Sequence, residues 1–137
     1  MSYSPLISII IAAYNSEEFF ERCINSIFSQ KYTNYEIIVI DGGSSDKTQE
    51  LLHKYSKRFK YWESMPDNGI YHAWNKALAQ SSGEWIIFIG SDDFLYDKYT
   101  LRNSMKHLHG ALKNNVRIVY GKTFLVDRYH PTKNVLP

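Results

Sequence analysis

Residues 36–49 read EIIVIDGGSSDKTQ. Glu36-Ile37-Ile38-Val39-Ile40 is a short, β-branched run that suits a strand covered on both faces. Asp41 closes it, and Gly42-Gly43-Ser44-Ser45 makes a loop of small residues. Asp46, with Gln49 three positions on, is placed to cap a helix running through Tyr55. A buried strand that hands over to a capped helix through a short loop is the repeating unit of an α/β sheet.

Outward from this stretch the same unit recurs. Residues 6–13, LISIIIAA, form a second buried strand. Asn15-Ser16-Glu17-Glu18 is placed to open a helix, with Asn15 as cap and Glu18 reaching back. Phe20, Cys23, Ile24, Ile27 and Phe28 then fall on one helical stripe. In the other direction, 59–63 interleaves aromatic and polar residues as a third strand, and Asp67-Asn68-Gly69 signals a turn. A helix is predicted over 70–79 with Ile70, Ala73, Trp74, Ala77 and Leu78 inward, followed by a buried strand at 85–89. A helix at 101–112, ended by Gly110 or Asn114-Asn115, and one or two strands within 116–126 around Gly121 complete the pattern. No internal repeat, low-complexity tract or linker interrupts it. The expectation is a mostly parallel sheet with helices on both faces, whose ligands bind outside the carboxyl ends of the strands. Tyr14-Asn15, Asp41 and Asp92-Asp93 all fall just past such ends.

Composition bounds the rest. The 137 residues suffice for one domain with a real core, and 44% hydrophobic with 22% charged residues is ordinary for a soluble globular chain. A single cysteine, Cys23, forbids an intramolecular disulfide and suits a reducing compartment. MSYSP carries no basic residue and the first apolar run has eight positions, so neither a signal peptide nor a membrane span is expected. Charge is uneven: residues 1–97 hold 8 Lys/Arg against 13 Asp/Glu, a net −5, whereas 98–137 hold 8 against one, a net +7. A basic end of this kind can approach anionic lipid, nucleic acid or an acidic partner, or simply be the solvated face of terminal elements.

Asp92 and Asp93 pose the chemical question. Side by side at the end of an apolar strand they either face water in a turn or await a cation. Adjacent strand-end residues point to opposite sides, so one acid is expected on a metal and its neighbour on hydrogen bonds to a ligand. Hard oxygen donors in so small a number suit Mg²⁺ or Mn²⁺ completed by waters and phosphate oxygens, and no histidine or cysteine spacing suggests zinc. An acid like Asp41 binds ribose in dinucleotide folds, but those need Gly-x-Gly-x-x-Gly after the first strand, where Ala12-Ala13-Tyr14-Asn15 stands instead. Tyr14 offers a face for a base, and Asp41 an acceptor for an N–H of that base.

SIIIAAYN (8–15), FSQKYTNYEIIVIDGGSSDKT (28–48) and GEWIIFIGSDD (83–93) resemble the nucleotide-sugar-binding half of family 2 glycosyltransferases, which have the Rossmann-like A-type glycosyltransferase fold. DNGIYHAWNKALAQSSG (67–83) resembles a subgroup whose usual form is DxGIYDAMNKG. The resemblance runs from residue 6 to 93 and resumes weakly at Val119-Tyr120-Gly121, so 6–93 would be the donor-binding half and 94–137 an incomplete acceptor half. It implies transfer of a sugar from a nucleoside-diphosphate sugar, UDP-linked first, to an acceptor hydroxyl with inversion, in cell-envelope polysaccharide or glycolipid synthesis. Ala12 and Tyr14 would contact the nucleoside and Asp41 the base; Asn75, Lys76, Ser91 and Asp92 would complete the donor site, Asp92 on ribose or metal-bound water. Asp93 would bind the Mn²⁺ or Mg²⁺ that bridges the diphosphate.

The sequence also departs from the family. Trp74 stands where many members carry an arginine, leaving Lys76 as the nearest cation, and His72 replaces the subgroup's aspartate. After Asp93 the only acids are Asp97 and Asp127, neither in a family motif, so no catalytic base is assigned and the chain reads as a truncated or partial product. The expected partners are the nucleotide sugar and a saccharide or lipid-linked acceptor, without nucleic acid, in the cytoplasm or peripherally at the inner face of the membrane. The alternatives are a non-catalytic nucleotide-sugar-binding module and, less in keeping with the lack of a phosphate loop, a nucleotidyl transferase.

Overall fold

The computed structural model describes residues 3–125 and 134–135. The chain divides into two compact units, Met1–Ser104 and Met105–Pro137. The first is built on β1 (Ile7–Ala13), β2 (Tyr35–Asp41), β3 (Tyr61–Ser64) and β4 (Trp85–Gly90), with helices α1 (Phe20–Phe28), α2 (Thr48–Tyr55) and α3 (Ile70–Gln80) between them. The strands form one parallel sheet in the order β3-β2-β1-β4. The doubly covered parallel sheet predicted from the sequence is the one observed.

Strand alternation sorts the core into two faces. Ile10, Ile38 and Ile40 pack with Ala73 and Ala77 of α3, flanked by Ala12, Tyr61, Trp74 and Ile86. The small alanines let α3 lie close against β1 and β2. On the opposite face Ile9, Ile11, Ile37 and Val39 are fully buried, as are Phe20, Ile24 and Ile27 of α1 and Leu52 of α2. Tyr35 donates to the Ile27 carbonyl at 3.2 Å and His53 meets Trp62 edge-on at 4.8 Å, tying these helices to β2 and β3. Each large aliphatic buried this way contributes about 1.5–3 kcal/mol relative to exposure.

Several boundaries differ from the sequence reading for local reasons. The helix predicted to open at Asn15 starts only at Phe20, after a turn in which Ser16 O accepts the Phe19 and Phe20 amides. Asn15 is left-handed (φ 46°) and gives its side chain to the Ser45 amide at 2.9 Å rather than capping α1. Asp46 was expected to cap α2 with Gln49 reaching back to it. The N-cap is instead Lys47; Asp46 accepts the Thr48 amide at 2.9 Å from one position earlier, and Gln49 donates to Ser44 O at 2.7 Å. The third strand begins at Tyr61 because a 3-10 turn occupies Ser56–Arg58. Ile70 and Leu78, expected inward, are 47% and 38% exposed. Strand β4, expected to be buried, lies at the sheet's edge with Phe88 41% exposed.

Helix α4 (Thr100–Lys113) runs from the first unit into the second. Asn115, left-handed at φ 57°, ends it, while Gly110 lies inside the helix. Strands were expected within 116–126; among the described residues 116–123 are irregular and Phe124–Leu125 (β5) pairs, antiparallel, with Asn134–Val135 (β6). Val126 and Asp127 lie outside the described residues. No helix among the described residues is long and apolar enough to cross a membrane.

Candidate functional site

The carboxyl ends of β1 and β2 open into a pocket of about 680 Å³. Its lining is Ala12, Ala13 and Tyr14 after β1, Gly42 and Gly43 after β2, Pro66 and Asp67 after β3, and Gly69, Ile70 and Ala73 of α3. Glycine is required at 43, where φ is 83° and a Cβ would stand 2.9 Å from the Pro66 nitrogen. Asp67 accepts the Gly69 amide at 2.9 Å and so fixes the entry to α3. The unpaired amides of the first turn of α3 therefore begin at the pocket, where their partial positive charge favours an anion. Tyr14, 66% exposed, presents its ring at the mouth.

Beneath this pocket Asp41 is fully buried and acts as a hub. Its Oδ2 accepts the Ser44 amide at 2.9 Å and the Ser64 hydroxyl at 2.6 Å, while Oδ1 accepts the Ser44 hydroxyl. Ser44 Oγ in turn receives the Asn15 amide at 2.8 Å. Ser16 extends the network, donating its amide to Thr48 Oγ1 at 2.7 Å and sharing a 2.6 Å hydroxyl contact with Ser91. Hydroxyls thus lock together the segments that follow β1, β2 and β4 and the last residue of β3, satisfying polar backbone that no ladder reaches.

The acidic pair stands one strand over, since Ala12 pairs with Gly90 in the sheet register. Strand β4 ends at Gly90 and the chain turns back, with the Asp93 amide on Gly90 O at 3.0 Å and Asp93 Oδ2 accepting the Gly90 amide at 3.3 Å. A Cβ on Gly90 would meet Asp92 Oδ1 at 2.8 Å and Asp93 Oδ2 at 3.0 Å. The expectation that the two acids point to opposite sides is therefore corrected: a turn, not extended strand, carries them, and one oxygen of each converges on the space that glycine leaves. Both residues are exposed. Among the described residues no third histidine, cysteine or carboxylate joins them. Two hard oxygens in an open position fit a Mg²⁺- or Mn²⁺-class ion that takes its remaining ligands from phosphate and water. Cys23 lies below, its thiol against Gly90 O at 3.6 Å; burial, then the Asp93 and Asp92 charges, push it up to about 12.

The other residues singled out from sequence are not brought into the pocket. Asn75 is exposed on α3, and Lys76 pairs with Glu63 of β3 at 3.3 Å. Ser91 is buried against Ser16. His72 accepts the Asn68 amide at 3.0 Å, a structural role at the start of α3. Sequence reasoning passed over Gly43, Pro66, Asp67 and Gly69 as lining; Asp67-Asn68-Gly69 was legible as a turn, but nothing local said that the turn faces Gly42-Gly43.

The "Glycosyl transferase family 2" profile matches residues 8–131. The chain is 35% identical over 127 residues to an uncharacterized glycosyltransferase of Haemophilus influenzae, covering 90% of this chain and 49% of that protein. It is 35% identical over 124 residues to the UDP-Glc:alpha-D-GlcNAc-diphosphoundecaprenol beta-1,3-glucosyltransferase WfgD of Escherichia coli, covering 89% of this chain and 47% of that one. It therefore spans about half the length of these curated relatives. Among solved structures it resembles S. aureus TarS 1-349 in complex with UDP-GlcNAc (TM-score 0.69, 28% identity, 77% of this chain and 32% of that one). It also resembles the mannosyltransferase PcManGT of Pyrobaculum calidifontis in complex with GDP-Man and Mn²⁺ (TM-score 0.71, 26% identity, 77% and 33%). The sheet, its helices and these likenesses agree on the A-type glycosyltransferase fold, and the chain belongs to glycosyl transferase family 2.

Proposed function

We propose that this chain is the donor-binding part of a glycosyltransferase that moves a sugar from a nucleoside-diphosphate sugar to an acceptor hydroxyl. The observation that carries the reading is the neighbourhood of an open pocket at the ends of β1 and β2 and a converging acid pair at the end of β4. The pocket receives the nucleoside, with Tyr14 at its mouth and Ala12 small enough to leave its floor open. Asp41 acts on the nucleoside chiefly by holding the surrounding loops, since both its oxygens are engaged. The diphosphate runs from the amides of α3 toward Asp92 and Asp93.

Asp93, with Asp92 beside it directly or through water, would hold a Mn²⁺ or Mg²⁺ ion. When bound, such an ion neutralises charge on the departing diphosphate. Residues 6–93 form the donor half and 94–137 belong to the acceptor half, and the acceptor hydroxyl attacks with inversion. UDP is the first donor nucleotide to test, in keeping with WfgD and the TarS complex, and a lipid-linked or other envelope saccharide is the acceptor class. The basic segment 98–137 would hold the protein peripherally against anionic lipid at the cytoplasmic face.

Calorimetry with UDP, with and without Mn²⁺, tests the reading on this chain. Saturable Mn²⁺-dependent binding is expected, reduced at least about tenfold by Asp93→Ala. Absence of UDP binding by the unaltered chain, or equal binding by the variant, overturns it.

A further inference from the structure

Arg22 lies on the exposed side of α1, and its Nη2 donates to the main-chain carbonyl of Asp92 at 3.0 Å. Its guanidinium carbon sits 4.4 Å from the centroid of the Phe94 ring and 5.4 Å from that of Phe19. The cation is thus held between an aromatic ring of its own helix approach and one from the segment that follows the acidic pair. Stacking of this kind fixes a planar guanidinium in a way that a lysine ammonium would not be fixed.

The contact belongs to a ladder. Arg22 and Ser26 share one face of α1 at an interval of four residues, and Gln30 follows just past the helix end. Ser26 Oγ accepts the Leu95 amide at 3.0 Å; Gln30 Nε2 donates to Asp97 O at 2.5 Å, and Gln30 Oε1 accepts the Leu101 amide at 3.0 Å. The Lys31 amide adds a bond to Lys98 O at 2.8 Å. Helix α1 and the turn after it therefore hold the main chain of the segment from 92 to 101, with the Phe94 ring adding a side-chain contact at Arg22. Arg22 is the rung at its start, next to the acids.

We infer that Arg22 is a positioning residue that holds the Asp92-Asp93 turn in the shape that accepts a divalent cation. The bond goes to the carbonyl of Asp92, which leaves the carboxylates of Asp92 and Asp93 converging over Gly90. A positive charge beside the turn offsets part of the repulsion between the two acids before any cation arrives. The inference rests on the proposed donor site, because it concerns how that site is kept ready.

Mn²⁺ titration followed by electron paramagnetic resonance, together with UDP calorimetry in the presence and absence of Mn²⁺, tests it on the full chain. Arg22→Gln is expected to weaken Mn²⁺ binding about 10-fold or more, the range found when partners behind metal ligands are removed, and to leave metal-free UDP binding unchanged. Arg22→Lys, which keeps the charge but not the stacked plane, is expected to recover part of the loss. If Arg22→Gln binds Mn²⁺ as the unaltered chain does, the inference fails. If it loses metal-free UDP binding in equal measure, with a lowered melting temperature, Arg22 is merely structural and the inference also fails. If the unaltered chain binds neither Mn²⁺ nor UDP, the donor-site reading fails first and takes this one with it.

Discussion

Asp41→Ala removes the acceptor of three donors at once: the buried Ser44 amide and hydroxyl and the half-buried Ser64 hydroxyl. The hydroxyls can turn toward other acceptors, but the Ser44 amide cannot, and a buried donor left unpaired costs about 1–3 kcal/mol. Adding the loss of two further hydrogen bonds at about 0.5–1.5 kcal/mol each brings the expected destabilisation to about 2–6 kcal/mol. Asp41→Asn separates shape from bonding. With its oxygen turned toward the Ser44 amide and Ser64, its amide nitrogen can donate to Ser44 Oγ, so a cost of about 1–2 kcal/mol is expected.

Urea unfolding followed through Trp62, Trp74 and Trp85 measures both variants. With a slope of about 2 kcal/mol/M, the alanine variant shifts the midpoint by about 2 M and the asparagine variant by less than half of that. An alanine cost below about 1 kcal/mol, or equal costs for the two variants, would refute the hub. An asparagine variant that stays stable but no longer binds UDP would instead return Asp41 to the direct contact with the base that the sequence suggested.

Gly90→Ala places a methyl group 2.8 Å from Asp92 Oδ1 and 3.0 Å from Asp93 Oδ2. Both acids are exposed side chains able to swing away, so the melting temperature is expected to move by only a few degrees while Mn²⁺-dependent UDP binding falls about tenfold; calorimetry showing unchanged metal dependence contradicts this. At the other end of the strands, burial acts to raise the Glu36 pKa, but bonds from the Ser8 hydroxyl, the Ser82 amide and Lys60 outweigh it and hold the carboxyl below its ordinary 4.5. Its contribution is therefore complete above that value and is lost as the pH falls through the lower native one. Melting curves of Glu36→Gln and the unaltered chain should converge as the pH falls below the ordinary 4.5, and parallel curves would sink the assignment.

What the sequence made legible follows from how local each cause is. The β-branched runs at 7–11 and 37–40 and the stripe from Phe20 to Ile27 state their own burial, and the structure buries them. Asp46 and Gln49 were legible as residues of the helix start, but their bonds go to the Thr48 amide and the Ser44 carbonyl rather than to each other, because the N-cap falls at Lys47. Asn15 misled because its capping chemistry is real but is spent on Ser45, thirty residues away. Phe88 misled because an apolar run does not declare whether its strand is central or at an edge. The lining of the pocket was the least readable part, since Gly43 faces Pro66 only after three strands have been set side by side. Asp92 and Asp93 were found as a pair, yet their shared orientation depends on the turn at Gly90, which alternation along a strand does not describe.

The thiol under the acidic turn has a practical consequence. Cys23 is the protein's single cysteine, fully buried, and with its pKa near 12 it exposes almost no thiolate at neutral pH. Maleimide chemistry would therefore pass over the folded native chain, which already serves as a silent background. A cysteine introduced at an exposed position such as Tyr14 could carry a fluorophore or spin label without any prior removal of Cys23.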